Sequence, residues 1–444
     1  MSKNTVVAWA IVVALGGFLF GFDTAVISGA EKSIQKFWDL SVFEHGLTIS
    51  IALIGTVIGS LVGSKPSDKF GRKNTLYFVA AAYLLSSLGT ALAENWYVFL
   101  IFRLLGGLGV GISSVTAPIY ISEIAPADKR GRLVGLFQFN VVLGILISYL
   151  SNYLIGQDGA ANWRWMLGVQ AFPSLIFLVL IYFIPESPRW LILKKGAHEE
   201  ALRILRIINP ANCDQELISI KNSGHQLNAG QKNQENLFSG QYTKPVVLAM
   251  VFAFFNQVSG INAIIYYAPR IFEMAGLGAH SSLLSTVGIG IINFAFTLLA
   301  INFIDKVGRR MLMLIGSFGL IVSLFLVGYT FYMADFSGYA VPIYMMVFIA
   351  FFAFSQGAVI WVFISEIFPN QVRAKGQTLG SSTHWVMAAV VAFGFPYFAE
   401  TLGGATTFFF FAAMMVLQLI FVWRWMPETK GRSLEQIEDN IILH

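Results

Sequence analysis

Residues 68–73 read Asp-Lys-Phe-Gly-Arg-Lys, and residues 305–310 read Asp-Lys-Val-Gly-Arg-Arg. Two other charged motifs recur in the same order: Glu123 with Arg130 and Pro185-Glu-Ser-Pro-Arg189 in the first half, Glu366 with Arg373 and Pro427-Glu-Thr-Lys-Gly-Arg432 in the second. The members of each pair are about 240 residues apart, and recurrence at a fixed offset is the sequence signature of structural repeats. The chain is therefore predicted to consist of two similar halves.

The segments between these motifs are strongly apolar. Of the 444 residues, 56% are hydrophobic and 12% are charged, and the mean hydropathy is +0.68. Soluble domains carry about 25% charged residues, and a membrane-spanning helix needs ~20 apolar residues. The sequence predicts an all-α polytopic membrane protein with twelve spans, at residues 6–28, 47–64, 74–93, 97–122, 131–155, 164–184, 244–269, 281–304, 311–333, 340–365, 376–398 and 406–426.

The repeat divides these spans into two bundles of six. We predict an N-terminal bundle at residues 1–185, a cytoplasmic helical linker at 186–243, a C-terminal bundle at 244–426 and a cytoplasmic tail at 427–444. Within the linker, Ala197 to Ile208 has the pattern of an amphipathic helix. Parallel repeats of this kind place the substrate site between the two bundles.

The positive charges follow the predicted topology. The chain has 29 Lys and Arg residues and a net charge of +5. Most lie at the termini and in alternate loops; the exceptions are Lys32, Lys36, Arg164 and Arg270 in the other loops, and Arg103 within a span. By the positive-inside rule, both termini are expected in the cytoplasm, which requires an even number of spans. The charge therefore needs no nucleic-acid partner, and the single cysteine, Cys213, excludes an internal disulfide.

One carboxylate lies within the first span. Residues 16–30 read GGFLFGFDTAVISGA and contain Asp23. An unpaired carboxylate in hydrocarbon costs several kcal/mol, so it needs a partner, a proton or a water-filled cavity. Arg103, the only arginine well inside a span, is the expected partner. The pair is either a static contact between spans one and four or part of the transport chemistry.

Amide and aromatic side chains also lie within the spans. Amides both donate and accept hydrogen bonds, as the hydroxyl groups of a neutral sugar do, and aromatic rings match the apolar C–H faces of a sugar. The alternative is that these amides bond neighbouring helices and the rings fill the core. The candidate substrate-binding residues are Gln138, Asn256, Gln257, Asn262, Asn293, Trp361, His384, Trp385, Phe20 and Ile145.

The repeated loop charges allow two interpretations. They either hold the loops inside the cell, or they form ion pairs that lock and release the cytoplasmic faces of the two halves. The repetition of the spacing favours the second. The residues predicted to form this gating network are Asp68, Arg72, Glu123, Arg130, Glu186, Arg189, Asp305, Arg309, Glu366, Arg373 and Glu428.

Over essentially its whole length the chain resembles the sugar porter family of the major facilitator superfamily, and in type it is most similar to the bacterial proton-coupled sugar symporters. The two loops at residues 68–73 and 305–310 resemble the superfamily signature. Pro185-Glu-Ser-Pro-Arg189 and Pro427-Glu-Thr-Lys-Gly-Arg432 resemble the family's own signatures. The segments Arg103-Leu-Leu-Gly-Gly-Leu-Gly-Val-Gly111 and Gln257-Val-Ser-Gly-Ile-Asn262 are also similar.

The resemblance implies roles for individual residues. Asp23 and Arg103 match the proton-coupling pair of proton-linked porters, whereas facilitators usually have asparagine in place of the aspartate. The residues that fall on the family's sugar-binding positions are Gln138, Gln257, Asn262, Asn293 and Trp361.

The chain also departs from the family pattern at several positions. Asn256 stands where glutamine is frequent, and His384 where asparagine or glutamine is common. Ile145 replaces a second glutamine of a bacterial xylose symporter. Gly357-Ala358 stands where proline often follows the glycine. These differences leave the identity of the sugar open.

We therefore expect a secondary active transporter that imports a hexose or pentose together with a proton by alternating access. A proton-independent facilitator, a polyol or inositol porter and a sugar-sensing receptor are the alternatives. The sequence has no nucleotide-binding fingerprint and no Cys/His metal cluster, so we expect no enzyme activity, cofactor or metal. We expect a monomer in the plasma (inner) membrane, with the sugar, the proton and the lipid bilayer as its partners.

Overall fold

A computed structural model describes residues 2–126, 129–156, 162–210, 212–230, 236–336, 338–369 and 372–430. These residues form helices and their connections, with no β-strand among them. The part of the predicted tail beyond residue 430 lies outside the described residues.

The α-helices, in chain order, are α1 (Ser2–Phe37), α2 (Val42–Val62), α3 (Ser64–Phe70), α4 (Arg72–Leu92), α5 (Trp96–Ile124), α6 (Arg130–Ile155), α7 (Asn162–Gly168), α8 (Ala171–Ile181), α9 (Pro188–Trp190), α10 (His198–Ile208), α11 (Cys213–Gly230), α12 (Thr243–Val258), α13 (Ile261–Met274), α14 (Ala279–Val307), α15 (Arg309–Met333), α16 (Ala340–Phe354), α17 (Gln356–Glu366), α18 (Arg373–Thr401) and α19 (Gly403–Trp425). A π-helix, Leu191–Lys195, follows α9, and a 3₁₀ turn, Gly240–Tyr242, precedes α12.

Eleven helical segments among the described residues are long and apolar enough to cross a membrane. The remaining predicted span, at 376–398, lies in α18, which has 29 residues and is therefore also long enough. Its first half is polar, because Gly376 to His384 includes Gln377, Thr378 and three further hydroxyl residues. The fold is thus the predicted all-helical membrane fold.

Three predicted spans are each built from two helices. Span six is α7 and α8, span seven is α12 and α13, and span ten is α16 and α17. Span seven changes direction at Gly260, whose φ of +86° lies in the left-handed region that glycine adopts readily. Span ten is interrupted at Ser355, with φ −119° and ψ −88°. The break at Gly260 lies two residues before Asn262, and the break at Ser355 directly precedes Gln356; both residues are discussed below.

Pro269 is expected to break span seven, and it adjoins a kink in the second helix of that span. It lies inside α13, which continues to Met274 and has its non-helical residue at Tyr267, with φ −125° and ψ 15°. A proline inside a helix has no N–H to donate to the carbonyl four residues earlier, here that of Ile265. The hydroxyl of Tyr149 donates to that carbonyl at 2.9 Å, so the lost helical bond is replaced.

Some predicted loops are helical. Span one was predicted to end at residue 28, but α1 continues to Phe37, and α2 already begins at Val42. Glu31, Lys32 and Lys36 end the apolar pattern without ending the helix, because Glu and Lys are good helix formers. Glu31 is consequently held on a rigid helix.

The chain groups into two compact units. The first contains residues 1–24, 54–148 and 164–234, and the second contains residues 25–53, 149–163 and 235–444. The units do not follow the predicted bundles, because α1, α2 and α6 each contribute residues to both. A core of the second unit packs Phe252, Leu312, Phe363 and Val422 from α12, α15, α17 and α19. The α10 helix coincides with the predicted amphipathic segment and buries Ala201, Ile204, Leu205 and Ile208 on one face.

In the first unit, α1 and α6 approach so closely that only glycine fits at their crossing. A Cβ atom on Gly21 would lie 1.9 Å from the carbonyl oxygen of Val141. Reciprocally, a Cβ atom on Gly144 would lie 2.1 Å from the carbonyl oxygen of Phe18. Small residues at crossings let helix backbones approach within membranes. The crossing lies two residues from Asp23 along α1 and fixes that part of the helix.

Candidate functional site

Asp23 and Arg103 form a buried ion pair in the first unit. Nη1 of Arg103, on α5, donates to Oδ1 of Asp23, on α1, at 3.2 Å, and each residue is 2% exposed. Among the described residues, Nε and Nη2 of Arg103 have no hydrogen-bond partner. Arginine and a carboxylate are frequently joined by two parallel bonds. Here a single bond joins the two groups.

The first loop motif is a compact cluster around Arg72. Its guanidinium contacts Glu123 at 3.0 and 3.1 Å and Asp68 at 3.0 Å. The backbone N–H groups of Arg72 and Lys73 donate to Glu186 at 2.9 and 3.1 Å. These N–H groups begin α4, where helices leave backbone donors free and attract negative charge. Glu186 therefore caps a helix from a distant part of the chain.

The second loop motif repeats this geometry in the other unit. Arg309 contacts Glu366 and Asp305, each at 2.9 Å. The backbone N–H groups of Arg309 and Arg310 donate to Glu428 at 3.0 and 3.1 Å and so cap α15. Each of these contacts joins residues of the same sequence half. The structure therefore bears out the internal repeat.

Glycine is required just before both capped helices. Gly71 has φ +94° and ψ 162°, and Gly308 has φ +100° and ψ 154°. A Cβ atom on Gly71 would lie 2.2 Å from Oε2 of Glu186, and one on Gly308 would lie 2.6 Å from Oε2 of Glu428. A side chain would therefore be strained by its backbone and would also displace the cap. This explains the glycine in each Asp-Lys-x-Gly-Arg motif.

The remaining residues of the predicted gating network are placed differently. Arg130 and Arg189 are exposed, and the Arg373 guanidinium donates to the carbonyl of Phe368 at 3.1 Å. Burial raises the pKa of the Glu186 carboxyl above its ordinary value, although the N–H groups it accepts from act in the opposite direction. That the residues of the gating network lock the two halves together stays a prediction.

The second unit brings four of the predicted substrate-binding residues into one row of hydrogen bonds. Nε2 of Gln257 donates to Oδ1 of Asn256 at 2.8 Å and lies 3.1 Å from the His384 ring. Nδ2 of Asn262 donates to Oε1 of Gln257 at 2.5 Å. The break at Gly260 places Asn262, at the start of α13, beside Gln257, near the end of α12. We call these four residues the amide row.

Aromatic rings adjoin the amide row. The Trp361 ring lies 4.8 Å from His384 and 6.3 Å from Trp385, measured between ring centroids. Trp385 and His384 are 8% exposed, whereas Trp361 is 37% exposed. Apolar ring surface is thus open directly beside polar side chains. This is the combination that binds a ligand with both hydroxyl groups and apolar faces.

The other predicted substrate-binding residues lie elsewhere. Asn293, on α14, is half-buried and makes no hydrogen bond to the amide row among the described residues. Gln138, Phe20 and Ile145 belong to the first unit. Gln138 and Phe20 are half-buried there, and Ile145 is 7% exposed on α6.

Known proteins resemble this chain over nearly its whole length. Residues 9–440 match the sugar (and other) transporter family. The chain belongs to the sugar transporter family. Its relatives include the arabinose-proton symporter of Bacillus subtilis (strain 168), 38% identical over 444 residues that cover 98% of this chain and 95% of the relative. The glucose transporter of Staphylococcus epidermidis is 37% identical over 434 residues, covering 96% and 95% of the two chains.

A solved structure of a sugar transporter confirms the fold. The inward open conformation of the xylose transporter of Escherichia coli matches with a TM-score of 0.87 and 34% identity. The match covers 98% of this chain and 100% of the other. The predicted membership of the sugar porters of the major facilitator superfamily is therefore confirmed, and so is the twelve-span fold class.

The chain described here also contains a buried cluster of ionisable side chains that the sequence did not predict. Glu31, on α1, is 1% exposed; its Oε2 lies 2.7 Å from Nε2 of His45, on α2, and 3.3 Å from Nη1 of Arg270, on α13. Nη2 of Arg270 contacts Gln35 at 2.9 Å and Glu400 at 3.3 Å. We call Glu31, His45 and Arg270 the Glu31 cluster.

The signal that could have revealed this cluster was the position of its charges. Glu31 and Arg270 each lie just beyond a predicted span end, and the helices continue through both. Lys32 and Glu273 form a further ion pair beside the cluster. A cavity of about 520 Å³, lined by Lys32, Arg270 and Glu273, lies next to it.

Proposed function

We propose that this chain imports a monosaccharide, a hexose or a pentose, together with a proton by alternating access. The Asp23–Arg103 pair carries the proposal: a buried carboxylate held by one hydrogen bond from an arginine with unused donors. The printed names of its relatives, an arabinose-proton symporter and a glucose transporter, support the sugar class. We propose that the protein acts as a monomer in the plasma membrane, with both termini in the cytoplasm.

The amide row is the proposed sugar-binding surface. Its amides bond to one another, so a sugar would exchange amide–amide hydrogen bonds for amide–hydroxyl bonds. Such an exchange costs little, because every buried donor and acceptor keeps a partner. The exposed part of the Trp361 ring would cover an apolar face of the sugar. Gln138, Phe20, Ile145 and Asn293 stay proposed substrate-binding residues.

Asp23 is the proposed proton carrier. While Arg103 is paired with it, the carboxylate stays charged. Rearrangement around bound sugar would separate the two groups, and a buried carboxylate without its cation takes up a proton because burial disfavours its charged form. The proton joins a carboxylate oxygen from the outer solution. It leaves to the cytoplasm when Arg103 pairs with Asp23 again.

Counterflow in proteoliposomes tests the sugar class. Purified protein is reconstituted with each of D-glucose, D-xylose, L-arabinose, D-galactose, mannitol and myo-inositol inside the vesicles, and uptake of the same labelled compound is followed. We expect transient accumulation of at least one monosaccharide and slower uptake of both polyols. Fastest counterflow of a polyol would replace sugar by polyol as the substrate class. No counterflow with any of the six would contradict the proposal.

The Glu31 cluster is proposed as a contact of the outer gate. The positive-inside rule places this end of the helices outside the cell. Arg270, on the helix that follows the Gly260 break, contacts α1 and α18 through Glu31 and Glu400. Alternating access requires the outer ends of such helices to separate and rejoin in each cycle. Loss of the Glu31–Arg270 pair would change the relative stability of the joined and separated states of these helix ends.

Replacing Arg270 by methionine is expected to lower the rate of counterflow at least tenfold. The change leaves the buried Glu31 carboxylate without its arginine, and breaking one partner of a buried pair typically costs about 3–5 kcal/mol. Adding Glu31→Gln should restore more than half of the lost rate, because the double variant buries no uncompensated charge. Glu400→Gln is the control, since an exposed pair contributes little. If counterflow by the double variant is no faster than by Arg270→Met, the Glu31–Arg270 pair does not have the proposed role in the gate.

A further inference from the structure

The amide row is connected to a second set of buried polar side chains at the break in span ten. Gln356 is the first residue of α17 and is fully buried, as is Ser355 before it. The carbonyl oxygen of Gln356 accepts a hydrogen bond from Nδ2 of Asn256 at 3.3 Å. The end of the amide row is therefore attached to the backbone of the break.

The Gln356 side chain is itself held by two other helices. Its Nε2 donates to Oε1 of Gln418, on α19, at 2.9 Å. Nε2 of Gln418 in turn lies 3.3 Å from Oγ of Ser317, on α15, to which it donates. Gln356, Gln418 and Ser317 are 0%, 1% and 0% exposed. These three residues, which we call the brace, fix the first turn of α17 against its neighbours.

The Asn256 amide has the Gln356 carbonyl on one side and Gln257 on the other. A carboxamide presents donors on one side and an acceptor on the other. Because the Gln356 carbonyl can only accept, it draws Nδ2 of Asn256 toward itself and turns Oδ1 toward Nε2 of Gln257. The opposite orientation would bring two oxygens together at Gln356 and two NH₂ groups together at Gln257. A displaced Gln356 carbonyl would remove this constraint.

We propose that Gln356, Gln418 and Ser317 are positioning residues that set the orientation of Asn256 and, through it, the donor and acceptor pattern that the amide row offers to sugar. The proposal rests on the proposed sugar-binding role of the amide row. The brace touches no sugar. It acts on affinity and on the choice between sugars by orienting Asn256.

The alternative is that the brace only holds α15, α17 and α19 together. Loss of a purely packing contact would lower the amount of folded protein and the turnover without changing affinity. Orientation of Asn256 predicts a change in KM that disappears once Asn256 has no amide. A double-mutant cycle separates these two cases.

The experiment compares wild type, Gln418→Ala, Asn256→Ala and the double variant in counterflow, using the two monosaccharides transported fastest in the six-compound panel. We expect Gln418→Ala to raise KM five- to tenfold with kcat within twofold, and to change the KM ratio of the two sugars. In the Asn256→Ala background, Gln418→Ala should change KM by less than 1.5-fold. Ser317→Ala, which removes one bond of the brace, should shift KM about twofold in the same direction.

Asn152→Ala is the matched control. Asn152 is a buried amide of the same unit whose Nδ2 donates to the carbonyl of Val26 at 2.9 Å, away from the brace. We expect this variant to lower the yield of folded protein and to leave KM unchanged. Gln418→Ala could raise KM by the same factor in the wild-type and Asn256→Ala backgrounds. That result would overturn the positioning role of the brace and leave the sugar-binding role of the amide row standing. If Asn256→Ala leaves KM unchanged, the sugar-binding role of Asn256 is wrong, and the brace fails with it.

Discussion

Replacing Asp23 by asparagine is expected to abolish the accumulation of sugar against its gradient while counterflow continues. Asparagine keeps the size of the side chain and one acceptor for Arg103, but it cannot take up and release a proton. With sugar and proton movements uncoupled, uptake should stop when the internal and external concentrations are equal. The measurement is the steady-state ratio of internal to external sugar in energised cells, together with counterflow in proteoliposomes.

The matched control for this change is Asp39→Asn. Asp39 is exposed and has φ +49°, a conformation that asparagine also adopts readily. It should accumulate sugar as the wild type does. If Asp23→Asn still concentrates sugar tenfold or more, Asp23 does not carry the coupled proton. If the variant loses both accumulation and counterflow, the pair is a structural contact between α1 and α5.

Replacing Gly144 by alanine is expected to destabilise the protein strongly. The new Cβ would lie 2.1 Å from the carbonyl oxygen of Phe18, so the α1 and α6 backbones would have to separate. Overpacking against movable side chains costs about 1–3 kcal/mol of stability. A helix backbone moves less readily than a side chain, so we expect a loss of at least about 3 kcal/mol in the free energy of unfolding. The midpoint of thermal aggregation of the detergent-solubilised protein measures this loss.

Gly135→Ala, on the same helix, is the matched control. A Cβ atom at Gly135 has no neighbouring atom within 4 Å among the described residues. Alanine also favours a helix over glycine by about 1 kcal/mol, so the thermal midpoint should stay the same or rise. Equal midpoints for the two alanine variants would show that the α1–α6 crossing is not as tight as the geometry indicates.

The parts of the fold that depend on local pattern could be predicted from the sequence. Apolar runs give the spans, and the recurrence of Asp68 and Arg72 as Asp305 and Arg309 gives the two-fold repeat. The structure shows the reason for that recurrence. In each half an arginine at a helix start pairs with two carboxylates, while a third carboxylate, Glu186 or Glu428, caps the helix.

Features that depend on contacts between distant segments could not be predicted. Glu31 and Arg270 each look like the end of an apolar run, and only their spatial approach shows a shared buried cluster. Gln418 is a single amide in an apolar span, and no spacing rule links it to Gln356. A break near Pro269 can be predicted because its missing N–H is visible in the sequence, whereas the Tyr149 hydroxyl that bonds the freed Ile265 carbonyl cannot.

The most direct test of proton-coupled sugar transport is the external pH when sugar is added to de-energised cells that contain the protein. A pH electrode in a weakly buffered suspension records whether protons enter with the sugar. The proposed mechanism predicts an immediate alkaline shift that a protonophore abolishes and that Asp23→Asn lacks. Sugar entry at the same rate with no change in external pH would contradict it.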